Sequence, residues 1–564
     1  MTVRWVGGYR TAVSATTPSG AGPPGAASPG TGPPSAAEAA TLPQLLTWRA
    51  THHGERVFLV VDGQPVSFAD LDRLAGEVAA GLWAWGVRRG DRVAVAAPNG
   101  LPWLGLLFGA ARLGAALVTL NPRYREQEFG YMLNQSGARL LLCPAELGGF
   151  DYAGFFAGFR SQVPTVERYV FLDRPGRQET WSGAGSFDEL VGAGRAAAAS
   201  GAGPDLAAPA ADDPAVILYT SGTTGRPRGA VLTHRSLLAS ARAQVGHLGW
   251  DERTSTVGAL PLNHVGGLTC GVLSLLVAGG TIVVLPAFSP TAVLDATAAH
   301  RTTVLSGVPT MFVMLLQTLA EHPVDTSSLR QVIVGGSILD PSLAATVAAT
   351  FPATQLINLY GLSESSGASV LSAPGDDLGT VTRSIGVVIG DFAFRVVDPD
   401  GQPVPAGTVG ELQLRGDGVA AGYWDMPAET AETFLPGGWL ATGDIVEAEP
   451  DGHLVLRARK KEMYIQGGFN VYPAEVEAVL GTHPTVALAA GFGVPDPVYG
   501  EVGVYFVVPR PGTDPDPDTL RAWCAERLAD YKVPRHITVV AEVPLTPAGK
   551  VAKAELRRRF ETGA

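Results

Sequence analysis

The chain has 564 residues, which is too long for one ordinary hydrophobic core, so two or more domains are expected. Its net charge of −12 argues against nucleic acid as a partner, because a polyanion requires a basic surface. The three cysteines, Cys143, Cys270 and Cys524, lie far apart and offer neither a disulfide framework nor a paired metal-ligand spacing. Reduced thiols are therefore expected.

No targeting or membrane segment is predicted. The first forty residues contain no apolar run as long as a secretory signal requires, so a cytoplasmic location is expected. Two long apolar stretches occur, at 103–120 and 268–286, but Arg112 interrupts the first and a Gly-Gly pair splits the second. Each pattern is typical of a buried helix followed by a buried strand, so we expect no transmembrane segment.

Two segments are poor in large apolar side chains. Residues 11–40 are almost entirely Ala, Gly, Pro, Ser and Thr, and cannot bury enough surface to offset the entropy of ordering them. We therefore expect a disordered extension over residues 1–40. A second stretch rich in Gly and Ala, at 192–211, is interpreted as an inserted loop.

Helical and strand patterns alternate from about residue 41. Apolar residues recur at helical spacing over 68–87 and 126–136, and short apolar β runs lie between and after these segments. Strands that alternate with helices predict stacked α/β layers with parallel strands. The β runs lie at 92–97, 116–120, 139–143, 215–219, 257–260, 281–285, 303–305, 331–334 and 355–359.

The pattern changes after about residue 380. Runs at 387–397, 411–415 and 453–456 are separated by Gly, Pro and Asp turns, which indicates a β-rich subdomain. A compact α+β tail follows the charged run at 457–462. The expected fold class is α/β, with a large N-terminal domain over 41–458, a hinge at 459–462 and a small C-terminal domain over 463–564.

A loop rich in hydroxyls and glycines follows the β run at 215–219. Residues 220–229 read Thr-Ser-Gly-Thr-Thr-Gly-Arg-Pro-Arg-Gly and contain four hydroxyls, three glycines and two arginines. Such a loop supplies the O–H and N–H donors and the positive charge that bind a polyphosphate. It is not a Walker loop, because Gly-x4-Gly-Lys-Ser/Thr is absent.

This loop resembles the phosphate-binding signature of the adenylate-forming superfamily, which contains acyl-CoA synthetases, peptide-synthetase adenylation domains and luciferases. Further family signatures follow in order between about residues 42 and 558. The resemblance implies that the loop binds the phosphates of ATP, with Thr220 also near Mg²⁺. The residues assigned to this role are Thr220, Ser221, Gly222, Thr223, Thr224, Gly225 and Arg228.

The sequence Tyr-Gly-Leu-Ser-Glu at 360–364 resembles the second core motif of the family. By that likeness Tyr360 stacks on adenine, Ser363 contacts the α-phosphate and Glu364 helps to hold Mg²⁺. A hard divalent ion that bridges phosphates does prefer carboxylate and phosphate oxygens. The resemblance assigns further ATP contacts to Gly336, Ser337 and Gly361.

Two later segments complete the nucleotide site implied by the resemblance. The run at 439–444 is similar to the ribose-binding segment, in which Asp444 accepts hydrogen bonds from both sugar hydroxyls. Arg459 matches the arginine that assists at the ribose, and Lys461 matches the interdomain pivot. The small C-terminal domain is therefore expected to be mobile.

The segment at 544–551 resembles the loop that carries the catalytic lysine, here Lys550. When a carboxylate attacks the α-phosphate, charge builds on the acyl-adenylate and on the departing pyrophosphate. An ammonium group delivered by a closing domain stabilises that charge.

The acyl and thiol sites are also implied by resemblance. The run Asn-His-Val-Gly-Gly at 263–267 matches the segment whose histidine lines the acyl pocket and later admits the thiol, although His264 is alternatively a buried structural histidine. The stretch at 467–477 is similar to the lining of the pantetheine tunnel, which favours CoA as the acceptor. The assigned acyl- and CoA-binding residues are His264, Gly266, Gly335, Gly467, Gly468 and Phe469, and the assigned catalytic residues are Lys550, His264 and Glu364.

The resemblance implies that ATP activates a small-molecule carboxylic acid to an acyl-adenylate, with Mg²⁺ as cofactor and CoA as the acceptor. An amine, a carrier-protein thiol or another small nucleophile is the alternative acceptor. The acid is open between fatty, aryl and polyketide-like classes, and a monomer or homodimer is expected. The sequence departs from the family at Arg228, where lysine is usual, and at Ser363, where threonine is usual.

Overall fold

The structure is a computed structural model. It describes residues 36–172, 183–201, 208–220, 227–460, 462–466, 469–471, 473–528, 530–545 and 551–562. Within these ranges no helix combines the length and the apolar character that crossing a bilayer requires. Residues 36–40 lie against the folded part, since Arg242 donates to the carbonyl oxygens of Ala36 and Ala39, and Ala39 is fully buried.

The first large sheet is mainly parallel, as the alternation of strands and helices predicts. Only the hairpin at one edge is antiparallel. Its strands, in spatial order, are Arg228–Thr233, Pro214–Thr220, Ala116–Thr119, Arg92–Val95, Leu140–Cys143, Arg168–Phe171 and Ala184–Ser186.

The second large sheet has a parallel centre and antiparallel edges. Its spatial order is Val387–Val388, Gly367–Leu371, Gln355–Leu362, Gln331–Gly335, Val304–Gly307, Ser255–Gly258, Thr281–Val284, Val57–Val61 and Gln64–Ser67. A separate small hairpin joins Glu146–Leu147 to Phe150–Asp151.

Helices cover these sheets and fill the layer between them. Successive strand residues face opposite layers: Val93 belongs to the core between the two sheets, and Ala94 belongs to the core on the outer face. The helices of this region are Leu42–His53, Phe68–Ala84, Leu101–Leu113, Glu126–Ser136, Tyr152–Phe159, Phe187–Ala199, His234–Leu248, Val265–Gly267, Ser274–Ala278, Pro290–His300, Pro309–Glu321, Pro341–Thr350 and Leu378–Arg383.

The β-rich subdomain after residue 380 is confirmed, except that Val387–Val388, the start of the run predicted at 387–397, pairs with the second large sheet. Its five-stranded sheet contains Ala393–Val397, Val409–Arg415, Trp439–Ala448, Phe434–Leu435 and Leu454–Arg459, with the helix Pro427–Thr433 beside it. A separate core of residues such as Phe394, Leu412 and Val446 lies beneath this sheet.

The C-terminal segment forms its own sheet and core. Its strands are Phe469–Val471, Tyr464–Gln466, Gly500–Pro509, Val486–Asp496 and His536–Val539, and its helices are Pro473–Gly481, Pro517–Ala525 and Lys553–Thr562. Buried residues such as Tyr464, Val476 and Tyr505 pack between the sheet and the first two helices. The expected α+β tail is thereby found.

The interpretation of residues 192–211 as a loop is wrong for its first part, because the helix Phe187–Ala199 continues through it. A capping box between Ser186 and Glu189 starts this helix, and its alanines favour helix. Its glycine has a packing role: a Cβ on Gly194 would lie 1.8 Å from the Glu77 carbonyl oxygen of the neighbouring helix. Gly194 is therefore explained by close packing of two helices and not by a turn.

One buried histidine makes stability depend on pH. Burial lowers the pKa of His234 to about 4 from 6.5, and its Nδ1 accepts a hydrogen bond from the Leu42 amide. The unfolded state binds the proton more readily. The free energy of unfolding is therefore highest above pH 6.5 and falls by about 3 kcal/mol as the pH drops towards 4. We expect His234→Gln, which keeps an acceptor and does not titrate, to flatten this part of the profile.

Urea unfolding at pH 5 and pH 7.5 measures the effect of His234. The exposed His52 provides the control, because His52→Gln should leave the pH dependence unchanged. Parallel pH profiles for the wild type and His234→Gln would exclude His234 as the source of the acid sensitivity.

Candidate active site

The carboxylate of Asp444 is held from two sides. In the antiparallel pair of Trp439–Ala448 and Leu454–Arg459, Asp444 lies opposite Arg459. The Arg459 Nε lies 3.1 Å from Oδ1 of Asp444, and the Tyr360 hydroxyl donates to Oδ2 at 2.6 Å. Asp444 is only 1 % exposed, whereas half of the Arg459 side chain is accessible. The carboxylate therefore has a fixed orientation beside a partly exposed arginine.

Electrostatics favour the charged form of Arg459 and the neutral form of Tyr360. The Asp444 carboxylate raises the pKa of Arg459, and burial, followed by the same carboxylate, raises the pKa of the Tyr360 hydroxyl well above its usual value. Tyr360 thus remains a neutral donor to the Asp444 carboxylate. Such a preorganised acceptor is suited to sugar hydroxyls.

Glu364 is held through a second tyrosine. The Tyr423 hydroxyl donates to Oε1 of Glu364 at 2.8 Å, and the Arg228 guanidinium carbon lies 5.4 Å from the centre of the Tyr423 ring. Arg228 is 6 % exposed, so its side chain is buried against the Tyr423 ring. The three side chains form a row in which Arg228 supports Tyr423 and Tyr423 orients Glu364.

The hydroxyl-rich loop joins two antiparallel strands. Thr220 pairs with Arg228 across the hairpin, and the Pro227 carbonyl accepts from the Tyr131 hydroxyl at 3.0 Å. These contacts fix both ends of the loop. Its assigned residues Ser221, Gly222, Thr223, Thr224 and Gly225 lie outside the described residues.

A divalent cation fits the residues assigned to it. Glu364 is partly exposed, and among the described residues only its Oε1 has a hydrogen-bond partner, which leaves Oε2 for a cation. Thr220 is also partly exposed, at the end of its strand. One carboxylate together with phosphate oxygens is the donor set that Mg²⁺ prefers.

Further assigned residues lie at the carboxyl ends of parallel strands, where α/β sheets form their ligand crevices. Gly335 ends one strand, pairs with Leu359 beside the Tyr360 segment, and could not carry a Cβ, which would lie 2.7 Å from the Leu359 carbonyl oxygen. Gly336 (φ +84°) and Ser337 follow and are exposed. The assigned Gly361 and Ser363 are partly exposed on the same edge.

His264 begins the short helix Val265–Gly267. Its Nδ1 accepts from the Gly266 amide at 3.4 Å, and both residues are partly exposed. A fully buried structural histidine, the alternative raised by the sequence, does not describe this side chain. The geometry is that of a partly exposed ring that caps the start of a short helix.

The remaining assigned residues belong to the second half of the chain. Lys461, Gly467, Gly468 and Lys550 lie outside the described residues, and Phe469 is described only as the first residue of the strand Phe469–Val471. The flanks of Lys550 are described: Leu545 and Val551 form a β-bridge, and Ala552 donates to the Pro544 carbonyl. Backbone contacts therefore hold together the two segments that flank Lys550.

Side-chain partners change across residue 461. On one side Lys460 pairs with Glu411 of the β-rich sheet at 2.9 Å, and on the other Glu462 pairs with Lys553 of the C-terminal helix at 2.6 Å. Lys553 also lies 2.7 Å from Glu477, whose carboxylate accepts from the Gly491 amide. Lys553 thus connects the flank of the predicted hinge to the interior of the C-terminal segment.

Sequence reasoning missed Tyr423 and Lys553. Neither has a local signal, because a tyrosine after glycine or a lysine at a helix start is usually a surface residue. Their partners, Glu364 and Glu477, are 59 and 76 residues away in sequence. Only the tertiary fold brings them together.

Loss of the Lys553 ammonium should destabilise the C-terminal segment. Lys553→Met leaves Glu477 with a side chain only 18 % exposed and without its cation, so we expect a loss of about 3–5 kcal/mol. Thermal unfolding and the rate of tryptic cleavage measure it. Lys532→Met removes a pair of similar cation exposure but leaves Glu475, which is 38 % exposed and can be solvated, so it should cost at most about 1 kcal/mol. Equal effects of the two variants would contradict the buried role of Lys553.

Comparison with known proteins agrees with this geometry. Residues 46–424 match the family model described as AMP-binding enzyme, and residues 475–550 match the model of the AMP-binding enzyme C-terminal domain. A feruloyl-CoA synthase of Amycolatopsis sp. is 38 % identical over 508 residues, which are 88 % of this chain and 94 % of that protein. A 3-[(3aS,4S,7aS)-7a-methyl-1,5-dioxo-octahydro-1H-inden-4-yl]propanoyl:CoA ligase of Mycobacterium tuberculosis is 36 % identical, with 92 % and 98 % covered.

A solved structure gives the same result for the fold. The ATP-bound crystal structure of MatB from Rhodopseudomonas palustris is similar with a TM-score of 0.80 and 28 % identity, covering 92 % of this chain and 98 % of that one. The α/β architecture with a small C-terminal segment is therefore shared with an enzyme that binds ATP. This chain belongs to the AMP-binding enzyme family of adenylate-forming enzymes.

Proposed function

We propose that the protein is an acyl-CoA synthetase that activates a carboxylic acid with ATP and transfers it to CoA. The observation that carries this proposal is the segment at 360–364. It joins Tyr360, which holds the Asp444 carboxylate, to Glu364, which is oriented by Tyr423. A sugar acceptor and a cation ligand thus lie four residues apart on one strand and turn, as a nucleoside triphosphate with its cation would require.

The proposed chemistry has two steps. The carboxylate oxygen of the acid attacks the α-phosphorus of ATP, forms an acyl–phosphate bond, and releases pyrophosphate. The CoA sulfur then attacks the acyl carbon, forms the thioester, and releases AMP, while the thiol proton goes to solvent or to His264. A bound Mg²⁺ would neutralise phosphate charge, and Glu364 and Thr220 are the residues proposed to hold it.

Asp444, Arg459 and Tyr360 would orient the nucleotide in both steps. Lys550 would stabilise the negative charge of the first step and must leave before the thiol enters. The change of partners between Lys460 and Glu462 supports a pivot at Lys461, because Lys460 is tied to the large sheet and Glu462 to the C-terminal segment. The proposed division therefore keeps 41–458 as the adenylation domain and 463–564 as the lid domain.

The names of two relatives support a proposal for the acceptor and for the class of acid. Both curated relatives described above are named as CoA synthase or CoA ligase, and their acids carry rings. We therefore propose CoA as the acceptor and a ring-bearing acid as the substrate. At 36–38 % identity, the ring of the substrate can differ from the rings of the two relatives' acids.

Product analysis tests the acceptor. Purified protein is incubated with ATP, Mg²⁺ and a ring-bearing acid, with and without CoA, and products are identified by mass spectrometry. The proposal predicts acyl-CoA and stoichiometric AMP, and little AMP without CoA. An amide formed with an added amine, without any thioester when CoA is present, would contradict the CoA assignment while leaving the adenylation intact.

A further inference from the structure

The segment at 420–424 joins the hairpin of the hydroxyl-rich loop to the turn that carries Glu364. It lies antiparallel to the second strand of that hairpin, where the Val231 amide donates to the Gly422 carbonyl at 2.9 Å. The Ala420 amide, at the start of the segment, donates to the Glu364 carbonyl at 2.8 Å. Backbone hydrogen bonds of one short segment therefore connect the motif assigned to the phosphates with the motif assigned to the cation.

Side chains of this region form a row on one face of the sheet. Thr220 lies opposite Arg228 across the hairpin, and Tyr423 lies opposite Ala230. Arg228 and Ala230 are two residues apart on one strand, so their side chains project from the same face, together with the side chains opposite them. The Tyr423 hydroxyl then reaches Oε1 of Glu364 at 2.8 Å. Arg228 and Tyr423 therefore connect the two residues proposed to hold the cation.

The Tyr423 ring is fixed by its neighbours. Tyr423 is buried, its amide donates to Oγ1 of Thr430 at 2.9 Å, and its ring packs edge-on against Phe434 with the ring centres 5.3 Å apart. The Arg228 guanidinium lies against the same ring and takes part in the hydrogen bonding of its hydroxyl. Burial, followed by the Glu364 carboxylate, raises the pKa of that hydroxyl, so the hydroxyl stays a neutral donor. The ring thus holds the carboxylate in one orientation.

We propose that Arg228 and Tyr423 are positioning residues of the cation site and that Arg228 acts through Tyr423, without contacting the nucleotide phosphates. This inference rests on the proposed function. Arg228 is buried against a ring whose hydroxyl holds Glu364, whereas a phosphate ligand has to be accessible to the nucleotide. Removing a group that orients a metal ligand typically lowers metal affinity about 10- to 100-fold. The arginine that stands where lysine is usual thereby serves the cation.

Charge and position predict opposite effects for the loss of Arg228. Free ATP carries more negative charge than its Mg²⁺ complex, so a guanidinium that acted by its charge would strengthen the binding of free ATP more. Its removal would then raise the dissociation constant of ATP most strongly when no cation is present. Loss of a positioning residue has the reverse signature, because it weakens only the binding that depends on the cation.

Binding of ATP with and without Mg²⁺ tests the proposal. Isothermal titration calorimetry of the full chain, without any acid so that ATP is not consumed, gives the dissociation constant of ATP in Mg²⁺ and in EDTA. In Arg228→Met and in Tyr423→Phe the constant in Mg²⁺ should rise about 10-fold, and the constant in EDTA should stay within about threefold of the wild type. A rise of about 10-fold or more in EDTA for Arg228→Met would assign Arg228 to the phosphates and overturn the proposal.

The double variant tests whether Arg228 acts through Tyr423. Once the Tyr423 hydroxyl is removed, Arg228 no longer influences Glu364. The double variant of Arg228→Met and Tyr423→Phe should therefore bind ATP in Mg²⁺ as weakly as Tyr423→Phe alone, because coupled residues are not additive. Additive losses would show that the two side chains act independently, which contradicts the proposal.

Arg535→Met is the matched control. The Arg535 guanidinium carbon lies 4.2 Å from the centre of the Tyr499 ring in the C-terminal segment, so this variant removes a similar contact elsewhere and should leave both constants unchanged. Thermal midpoints are measured in parallel, and Tyr423→Phe, which keeps the ring, decides the test if Arg228→Met does not fold. A wild type that binds ATP in neither buffer would fail the proposed function itself. Equal strengthening by Mg²⁺ in the wild type and in Tyr423→Phe fails this inference alone.

Discussion

Replacing Lys550 by alanine should abolish adenylate formation, with kcat for acid-dependent pyrophosphate release lowered at least 10²–10³-fold. The resemblance places this lysine at the departing pyrophosphate, and the residues on both sides of its loop are held in place. The β-bridge between Leu545 and Val551 closes the loop base, and Lys553 fixes the following helix through Glu462 and Glu477. Removing the ammonium group removes charge stabilisation but leaves the contacts of the flanking residues in place.

The second half-reaction provides the internal control for Lys550. With chemically prepared acyl-adenylate and CoA, Lys550→Ala should form thioester at close to the wild-type rate, because the role proposed for the lysine ends when pyrophosphate leaves. The two rates are measured on the same preparation. Equal loss in both steps would contradict the assigned role and indicate damage to the C-terminal segment.

Asp444→Asn should raise the KM for ATP about 10²-fold, which is the second-largest effect we expect. The amide still fits beside Tyr360, but it no longer pairs with the Arg459 guanidinium and accepts sugar hydroxyls less strongly. Since Arg459 is half exposed, water can solvate it, and the thermal midpoint should change little. The KM for the acid should stay near the wild-type value.

Glu447→Ala is the matched control for Asp444. Glu447 lies on the same strand and pairs with Arg457 across the same hairpin, but both side chains are accessible. Losing this exposed pair should cost at most about 1 kcal/mol and leave the KM for ATP unchanged. An unchanged KM for ATP in Asp444→Asn would remove Asp444 from the nucleotide site.

Local patterns predicted most secondary structure. The helix predicted over 126–136 is found with the same bounds, and the helix predicted over 68–87 ends at Ala84, with Trp85 as its C-cap. Apolar periodicity and capping residues are local properties, so the sequence contains them. The helix Phe187–Ala199 was missed because glycine permits both a turn and close helix packing, and only the neighbouring helix decides between them.

Site residues could be predicted where a sequence motif identifies them. They could not be predicted where the role of a residue depends on a partner that is distant in the sequence. Asp444, Arg459 and Tyr360 were each assigned from a separate motif, and the fold brings them into contact. Arg228 was expected to contact phosphate directly, and its place over the Tyr423 ring was not readable from the loop.

Acid-dependent exchange of labelled pyrophosphate into ATP tests the central claim most directly, because it requires reversible adenylate formation and no acceptor. The assay uses the purified full chain, Mg²⁺, ATP and a panel of fatty, aryl and polyketide-like acids. We predict exchange with at least one ring-bearing acid and its loss in Lys550→Ala and at low ATP in Asp444→Asn. Absence of exchange with every acid, from a folded preparation, would contradict the assignment of this protein as an adenylate-forming enzyme.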